Sequence, residues 1–242
     1  MRIIKPVIVN GIEYPVTISD DSMALQAAYA AGGAIIGIWS EETAKSQTDY
    51  SYCLYLVTNP EDADEMMLER VVRRRLGLPF IIGETSRLII REFCRTDPLE
   101  PMEWAYELAK EALASEEETE DFSSHLTFCM EERRTAYIRN QYYFHECGLW
   151  ALEEKESGII VGKAGLTEGE LGYHIYPFFR RKGYSLEACK EILRYGREEM
   201  GLKEIFLRTR KDNIASLCLA KRLGFLLREE QKGVCEMRIF TW

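Results

Sequence analysis

The first eighty residues alternate short apolar runs with turn residues. Val7-Ile8-Val9 and the run Ile12 to Ile18 flank Asn10-Gly11, the dipeptide that best predicts a tight hairpin between two strands. Ser19-Asp20-Asp21-Ser22 offers several N-caps for a helix through Ala31. Gly32-Gly33 stops that helix, and Ala34 to Trp39 reads as a buried strand. A further strand-like run, Tyr52 to Val57, precedes Asn59-Pro60 and a highly charged helix to about Leu76. Gly77-Leu78-Pro79 breaks it, which places a domain boundary near 78–86 and divides the chain into 1–84 and 85–242.

The second half opens with a strand pattern from Arg87 to Phe93. Asp97-Pro98 starts a predicted helix to about Ala114, and the acidic run Glu116 to Asp121, read as solvated linker and cap, leads to a second helix. Leu149–Glu153, Ile159–Ala164 and Leu171–Tyr176 read as strands. From Leu186 to Met200, apolar residues recur at helical spacing, with Gly201 as the stop. Ile205–Leu207 is a strand, and Asp212 or Asn213 caps a helix ending at Leu223-Gly224. Phe225–Leu227 and Cys235–Phe240 read as a closing antiparallel pair.

Composition narrows the function classes. The chain has 242 residues, 46% of them hydrophobic and 29% charged, enough for a sizeable core and unlike a disordered tail or a coiled coil. A formal net charge of -9 argues against broad capture of nucleic acid by a basic surface. The most apolar window, Met23 to Trp39, contains Gln26 and Gly32-Gly33 and is short for a membrane span. No signal peptide is read at Met1–Val9, so a cytoplasmic protein with no membrane partner is expected. The seven cysteines are scattered with no C-x-x-C, which predicts reduced thiols and no metal site.

The segment Ile175 to Ser185 carries the chemistry. It holds Arg180-Arg181-Lys182-Gly183 between a strand and an amphipathic helix. Unpaired N–H groups at the helix start, the helix dipole and a glycine that admits a phosphate together make an anion site. The turn alone also fits a tight connection between strand and helix. G-x-x-x-x-G-K-[ST] and G-x-G-x-x-G are both absent, which disfavours nucleotide hydrolysis and dinucleotide binding.

Arg180-Arg-Lys-Gly183-Tyr-Ser185 resembles the R/Q-x-x-G-x-G/A pyrophosphate loop of the GNAT superfamily of acetyl-CoA-dependent N-acetyltransferases, with Ser185 where Gly or Ala is usual. Asn213-Ile-Ala-Ser216 followed by Leu223-Gly224-Phe225 resembles its second signature, N-x-x-S and LGF. Ser86-Arg-Leu-Ile-Ile-Arg91 resembles the T-x-R-L-x-L-R opening strand of the ribosomal-protein N-acetyltransferase subgroup. Gly148-Leu-Trp150, Val161 to Leu166 and Glu170-Leu-Gly-Tyr173 fall where that subgroup has similar strings.

The resemblance implies an α/β fold: a mixed, mostly antiparallel sheet, splayed near Leu171–Tyr176, flanked by helices and preceded by a small α/β domain. Acetyl-CoA would lie in the splay. Its pyrophosphate would be held by the loop of Arg180, Arg181, Lys182, Gly183, Tyr184, Ser185 and Leu186. Asn213 and Ser216 would contact the pantetheine or adenosine portion. The N–H of Ile175 would bond the acetyl carbonyl and stabilise the oxyanion. Glu170 and His174 are the candidates for taking the amine proton. Relatives often place a tyrosine acid where this chain has Ala220, so the thiolate leaves unassisted or another group, such as Tyr173 or Tyr176, serves.

The aromatic segment Asn140 to Glu146 falls where the family places part of its acceptor pocket, although core packing also explains it. His125 reads as a surface residue on a helix. The acceptor is expected to be a primary amine of a small molecule or a peptide. A non-catalytic acyl-CoA-binding or sensing module is the alternative that Ala220 leaves open. Further upstream, Ile18-Ser-Asp-Asp-Ser22, Ala27 to Gly32 and Ile35 to Ile38 resemble a late α/β portion of haloacid-dehalogenase-like hydrolases. The D-x-D-x-T nucleophile string of those enzymes is absent, which implies a degenerate domain that shapes the acceptor pocket or mediates a homodimer.

Overall fold

The structure is a computed structural model that describes residues 1–98 and 131–240. The predicted helix from Asp97-Pro98 to Ala114, the acidic run Glu116–Asp121 and His125 therefore lie, apart from Asp97 and Pro98, outside the described residues. The chain divides into two units, Met1–Phe80 and Ile81–Trp242.

In the first unit, β1 (Arg2–Val9) and β2 (Ile12–Ser19) form an antiparallel hairpin. Asn10 and Gly11 both take positive φ, 53° and 77°, the turn geometry that matches the twist of the flanking strands. Asp21 accepts from the Met23 N–H and caps α1 (Ser22–Ala30), which crosses over to β3 (Ala34–Ile38), parallel to β2. A short helix α2 (Glu41–Lys45) leads towards β4 (Leu56–Val57), and α3 (Glu65–Arg75) packs across the sheet. The order is β1-β2-β3-β4 over a core that includes Val16, Ile18, Ile36, Ile38, Leu68 and Val72.

The strand expected over Tyr52–Val57 is shorter than its apolar pattern suggests. Asp49 accepts from the Ser51 N–H, and the Cys53 N–H bonds back to Tyr50 O, so a turn consumes the segment before Leu56. This turn brings the Tyr50 ring over Gly37, where a Cβ would collide with it at 2.7 Å.

The second unit is built on an eight-stranded mixed sheet ordered β11-β12-β10-β9-β8-β7-β6-β5. Its strands are β5 (Ile81–Glu84), β6 (Leu88–Arg91), β7 (Gly148–Glu154), β8 (Ile160–Thr167), β9 (Glu170–Ile175), β10 (Glu204–Arg210), β11 (Leu226–Gln231) and β12 (Val234–Phe240). Helix α4 (Glu131–Tyr137) runs into a π-helical segment, Ile138–His145, before β7. Helix α5 (Tyr184–Glu198) connects β9 to β10, and α6 (Ile214–Leu223) connects β10 to β11. Every neighbouring pair is antiparallel except β9 with β10.

Strand alternation assigns the two faces of this sheet. Trp150 meets Tyr195 of α5 edge to face at 5.5 Å, and Leu166 and Ile205 close on Gly196 so tightly that a Cβ there would lie 2.7 Å and 3.0 Å from their methyls. The register rows Trp150–Ala164–Tyr173 and Leu166–Leu171 therefore share the α5 face. The rows carrying Ala151, Lys163 and His174 share the other. Near the β6 end, Arg91 is buried between Asp97 at 2.8 Å and Glu153 at 2.6 Å. Its charge is fully partnered, which is what burial of a cation requires.

Candidate active site

The pairing of β9 with β10 consists of one register pair, Phe206 with Glu170, closed by the Phe206 N–H to Gly169 O at 3.0 Å. Beyond it the two strands part. On its other edge β9 is fully paired with β8, and the next residue, Tyr176, donates its N–H to Val161 O at 3.0 Å. Backbone polar groups alternate in direction along an antiparallel pair. The N–H groups of Tyr173 and Ile175 therefore point away from β8, into the opening. The carbonyl of Ile175 is taken by Arg180 Nε at 2.9 Å, while its N–H is aimed at the gap.

The basic turn lies just past this strand. After a short 3-10 turn, Pro177–Phe179, Arg181 takes φ 62° and Gly183 φ 85°. Helix α5 begins with no side-chain cap, and its first bond is the Glu187 N–H to Gly183 O at 3.2 Å. The amides ahead of that bond point out of the helix start. Arg181, Lys182 and Gly183 are exposed, Tyr184 is buried, and Ser185 and Leu186 are half-buried. Two left-handed residues beside an uncapped helix terminus form a turn with outward-facing amides, a geometry able to accept an anion. Gly183 leaves the approach open, since a Cβ there would meet only the tip of Arg87, 3.5 Å away.

The side chains of the loop do not all serve that geometry. Arg180 folds back on Ile175, and Lys182 Nζ lies 5.4 Å from the Phe179 ring centre. The Tyr184 phenol bonds Glu154. Asn213 Oδ1 caps α6 by accepting from the Ser216 N–H at 3.1 Å. That leaves the side-chain NH2 of Asn213 for a ligand. The Ser216 hydroxyl meets the Tyr173 phenol at 2.6 Å.

Glu170 and His174 occupy one face of β9 but are not brought together, because four residues along a strand span about 13 Å. Glu170 lies at the closed end of the gap, 3.3 Å from Arg208. Burial raises its carboxyl above the ordinary value, and Arg208 opposes the shift. His174 lies at the open end, beside Ile175 and 5.9 Å from the Tyr176 ring. Ala220, at the position where a tyrosine acid would be expected, is fully buried.

The aromatic segment before β7 splits in role. Tyr142 is fully buried and donates to Leu149 O, and Tyr137 OH accepts from the Leu149 N–H at 2.5 Å. Both phenols fasten the start of β7. Phe144 is 80% exposed and packs edge to face on the exposed His145, so these two are the aromatic side chains of the segment open to solvent.

Sequence reasoning missed the turn Thr85-Ser86-Arg87, which wraps over the start of α5. Glu187 accepts from all three residues of that turn, and Arg87 also reaches Lys182 O. No local spacing signals partners about a hundred residues apart. Among the described residues there is no cluster of three or more His, Cys, Asp or Glu side chains placed to hold a metal ion. In the first unit, Asp21 is spent as a helix cap and Asp20 pairs with the Met1 amino group.

Comparison with known proteins agrees with this geometry. The family described as "Acetyltransferase (GNAT) domain" matches residues 87–226. An uncharacterized N-acetyltransferase of Bacillus subtilis (strain 168), YnaD, is 38% identical over 55 residues, which cover 23% of this chain and 32% of that one. The match thus spans about a third of the length of that curated relative. A ribosomal-protein-S5-alanine acetyltransferase from Vibrio fischeri shares the fold with TM-score 0.54 at 14% identity, covering 66% of this chain and 96% of its own. A ribosomal L7/L12 alpha-N-protein acetyltransferase in complex with coenzyme A does so with TM-score 0.50 at 16% identity, covering 66% and 97%. The parted parallel strands, the uncapped basic helix start and the family match over most of the second unit lead to one assignment: the chain belongs to the GNAT acetyltransferase family.

Proposed function

We propose that this protein is an acetyl-CoA-dependent N-acetyltransferase that acts on a primary amine of a small molecule or a peptide. The observation that carries this reading is the single register pair between β9 and β10, which leaves the Ile175 N–H aimed into a gap beside the loop Arg180–Leu186. The loop amides and Arg181 fit a pyrophosphate, and the gap fits the extended pantetheine arm. When bound, acetyl-CoA supplies an activated acetyl thioester.

The protein's own part in the reaction is positional and electrostatic. The Ile175 N–H donates to the carbonyl oxygen where negative charge develops, an interaction that strengthens towards the transition state. The amine approaches from the His174 face. Its proton passes to His174, the titratable side chain adjoining Ile175, and Glu170 forms the far end of a water relay. Tyr173, held by Ser216, supplies the proton for the departing thiolate in place of a residue at position 220.

The acidity of the chain, net -9, favours cationic acceptors such as polyamines or lysine-rich peptides. Neighbours that acetylate ribosomal proteins make a protein N-terminus the second acceptor class to test. The first unit is read as a degenerate hydrolase-like domain that shapes acceptor access or pairs two copies, since its aspartates are committed to structure. No described helix is long and apolar enough to cross a membrane, and a cytoplasmic location belongs to the same reading.

The test is thiol release from acetyl-CoA against a panel of amines and peptides, preceded by thermal melting with CoA. Both a raised melting temperature and acceptor-dependent thiol release are expected. A raised melting temperature with no release on any acceptor would favour the acyl-CoA-sensing alternative, and unchanged melting would overturn both.

A further inference from the structure

The turn between β5 and β6 is bound to the start of α5 by more bonds than a hairpin turn needs. Glu187 Oε1 accepts from Thr85 Oγ1 at 2.5 Å, Ser86 Oγ at 3.0 Å and the Arg87 N–H at 2.9 Å. Glu187 Oε2 takes Arg87 Nε at 2.8 Å and Nη2 at 2.6 Å, a two-pronged pairing of guanidinium with carboxylate. The remaining prong, Nη1, donates to Lys182 O at 2.9 Å. The guanidinium carbon lies 4.5 Å from the centre of the Tyr184 ring, and the Tyr184 phenol is tied to Glu154 of β7. Every nitrogen of Arg87 is therefore committed, and each partner fixes one side of the Lys182–Tyr184 segment.

The bond to Lys182 O has a consequence one atom further on. That carbonyl and the N–H of Gly183 belong to one planar trans peptide, so they point in opposite directions. Holding the carbonyl on Arg87 turns the Gly183 N–H to the side away from Arg87. Glu187 matters in the same way. A carboxylate in the first turn of a helix suits the dipole but repels an incoming anion. Bound to Arg87 and two hydroxyls, its charge is neutralised and directed at the β5–β6 turn.

We infer that Arg87 is a positioning residue for the anion loop: through Lys182 O and Glu187 it orients the Gly183 amide and shields the loop from the Glu187 charge, so that a pyrophosphate group binds. This inference rests on the proposed use of acetyl-CoA. Arginine is required because lysine has one compact ammonium and cannot hold a carbonyl and a carboxylate in one fixed plane.

The experiment uses the full chain with Arg87→Lys and Arg87→Gln. Three measurements are made: the dissociation constant for CoA by calorimetry, the melting temperature without ligand, and the Gly183 amide resonance in the free protein. Both variants should weaken CoA binding by about 10- to 100-fold, the scale on which displaced positioning groups are felt. The Gly183 amide should move or broaden, while amides of the buried β8 strand such as Ala164 stay in place. Lysine should rescue little. Equal CoA affinity in wild type and variants would overturn the inference, as would restored affinity in Arg87→Lys. If a variant unfolds, Glu187→Gln, which releases the same clamp and keeps a hydrogen-bonding side chain, takes its place. If wild type itself binds no CoA, the cofactor reading fails, and the Gly183 resonance, which needs no ligand, still decides whether Arg87 orients that amide.

Discussion

The phenol of Tyr173 on β9 and the hydroxyl of Ser216 in the first turn of α6 lie 2.6 Å apart, so one hydrogen bond ties β9 to α6. Ser216 stands one helical turn before Ala220 on the same face of α6, as residues four apart do. The Tyr173 hydroxyl thus meets α6 one turn before Ala220. Burial pushes its pKa up to about 12, against the opposing bond to Ser216. It remains a proton donor at every working pH.

Tyr173→Phe should therefore lower turnover by about 10²-fold, the lower end of the range for a lost acid. CoA affinity should change little. Ser216→Ala should cost less, because the phenol remains. Single-turnover rates with acetyl-CoA and any accepted amine would read this. Wild-type turnover in Tyr173→Phe would mean that the thiolate leaves unassisted.

The clamp on α5 also predicts a pH dependence of stability. Its bonds to Thr85, Arg87 and Ser86 outweigh burial and hold the Glu187 carboxyl at about 2, down from 4.5. A depressed carboxylate stabilises the fold fully above the unfolded value near 4.5, and the contribution fades as pH falls towards 2. At 17% side-chain exposure the effect reaches at most about 3 kcal/mol. Thermal melts of wild type and Glu187→Gln should differ most at pH 6–7, and the gap should narrow below about pH 4.5 and close towards pH 2. A gap that does not narrow on acidification would show that the charge of Glu187 is not what stabilises the turn.

Much of this was readable from residue order because it is local. Asn10-Gly11 set the hairpin, Asn213 capped α6, and the recurrence of apolar residues from Leu186 marked α5, although the helix starts two residues earlier at Tyr184. The basic turn ahead of α5 was readable for the same reason, since its glycine, its cations and its helix are contiguous. What depends on distant pairing was not. Arg87 and Glu187 meet only because β5–β6 folds against α5, and Tyr173 finds Ser216 only across the open sheet. The Tyr52–Val57 run looked like a full strand because alternation cannot reveal that Tyr50 turns back over Gly37.

The division of the chain makes a further prediction. Strand β5 pairs with β6, buries Ile82, packs against α5 and carries Glu84, which bonds Lys155 at 2.8 Å. A chain beginning at Ile81 should fold and bind CoA. One beginning at Thr85 loses the edge strand and about 2–5 kcal/mol of burial. Its melting temperature should fall by roughly 5–15 °C relative to the longer piece. Equal melting of the two would show that β5 adds nothing to the sheet.

The proposed proton acceptor follows from position along β9. Glu170 and His174 share a face, yet only His174 adjoins the Ile175 N–H, while Glu170 sits at the closed end against Arg208. A base must be deprotonated to act, so the rate falls as pH drops through its titration. With His174 in that role, kcat/KM should fall on acidification, and that limb should depend on His174. Burial raises the Glu170 carboxyl and Arg208 opposes that rise, so a limb that follows Glu170 should respond to the loss of Arg208. His174→Gln should lower kcat by about 10²-fold and remove that limb, while Glu170→Gln should lower it by less than about tenfold by breaking the far end of the relay. Arg208→Ala offers an independent check, since it removes the cation that opposes the rise of the Glu170 carboxyl. If that variant shifts the rate profile and His174→Gln does not, the base is Glu170, and the relay runs the length of the gap.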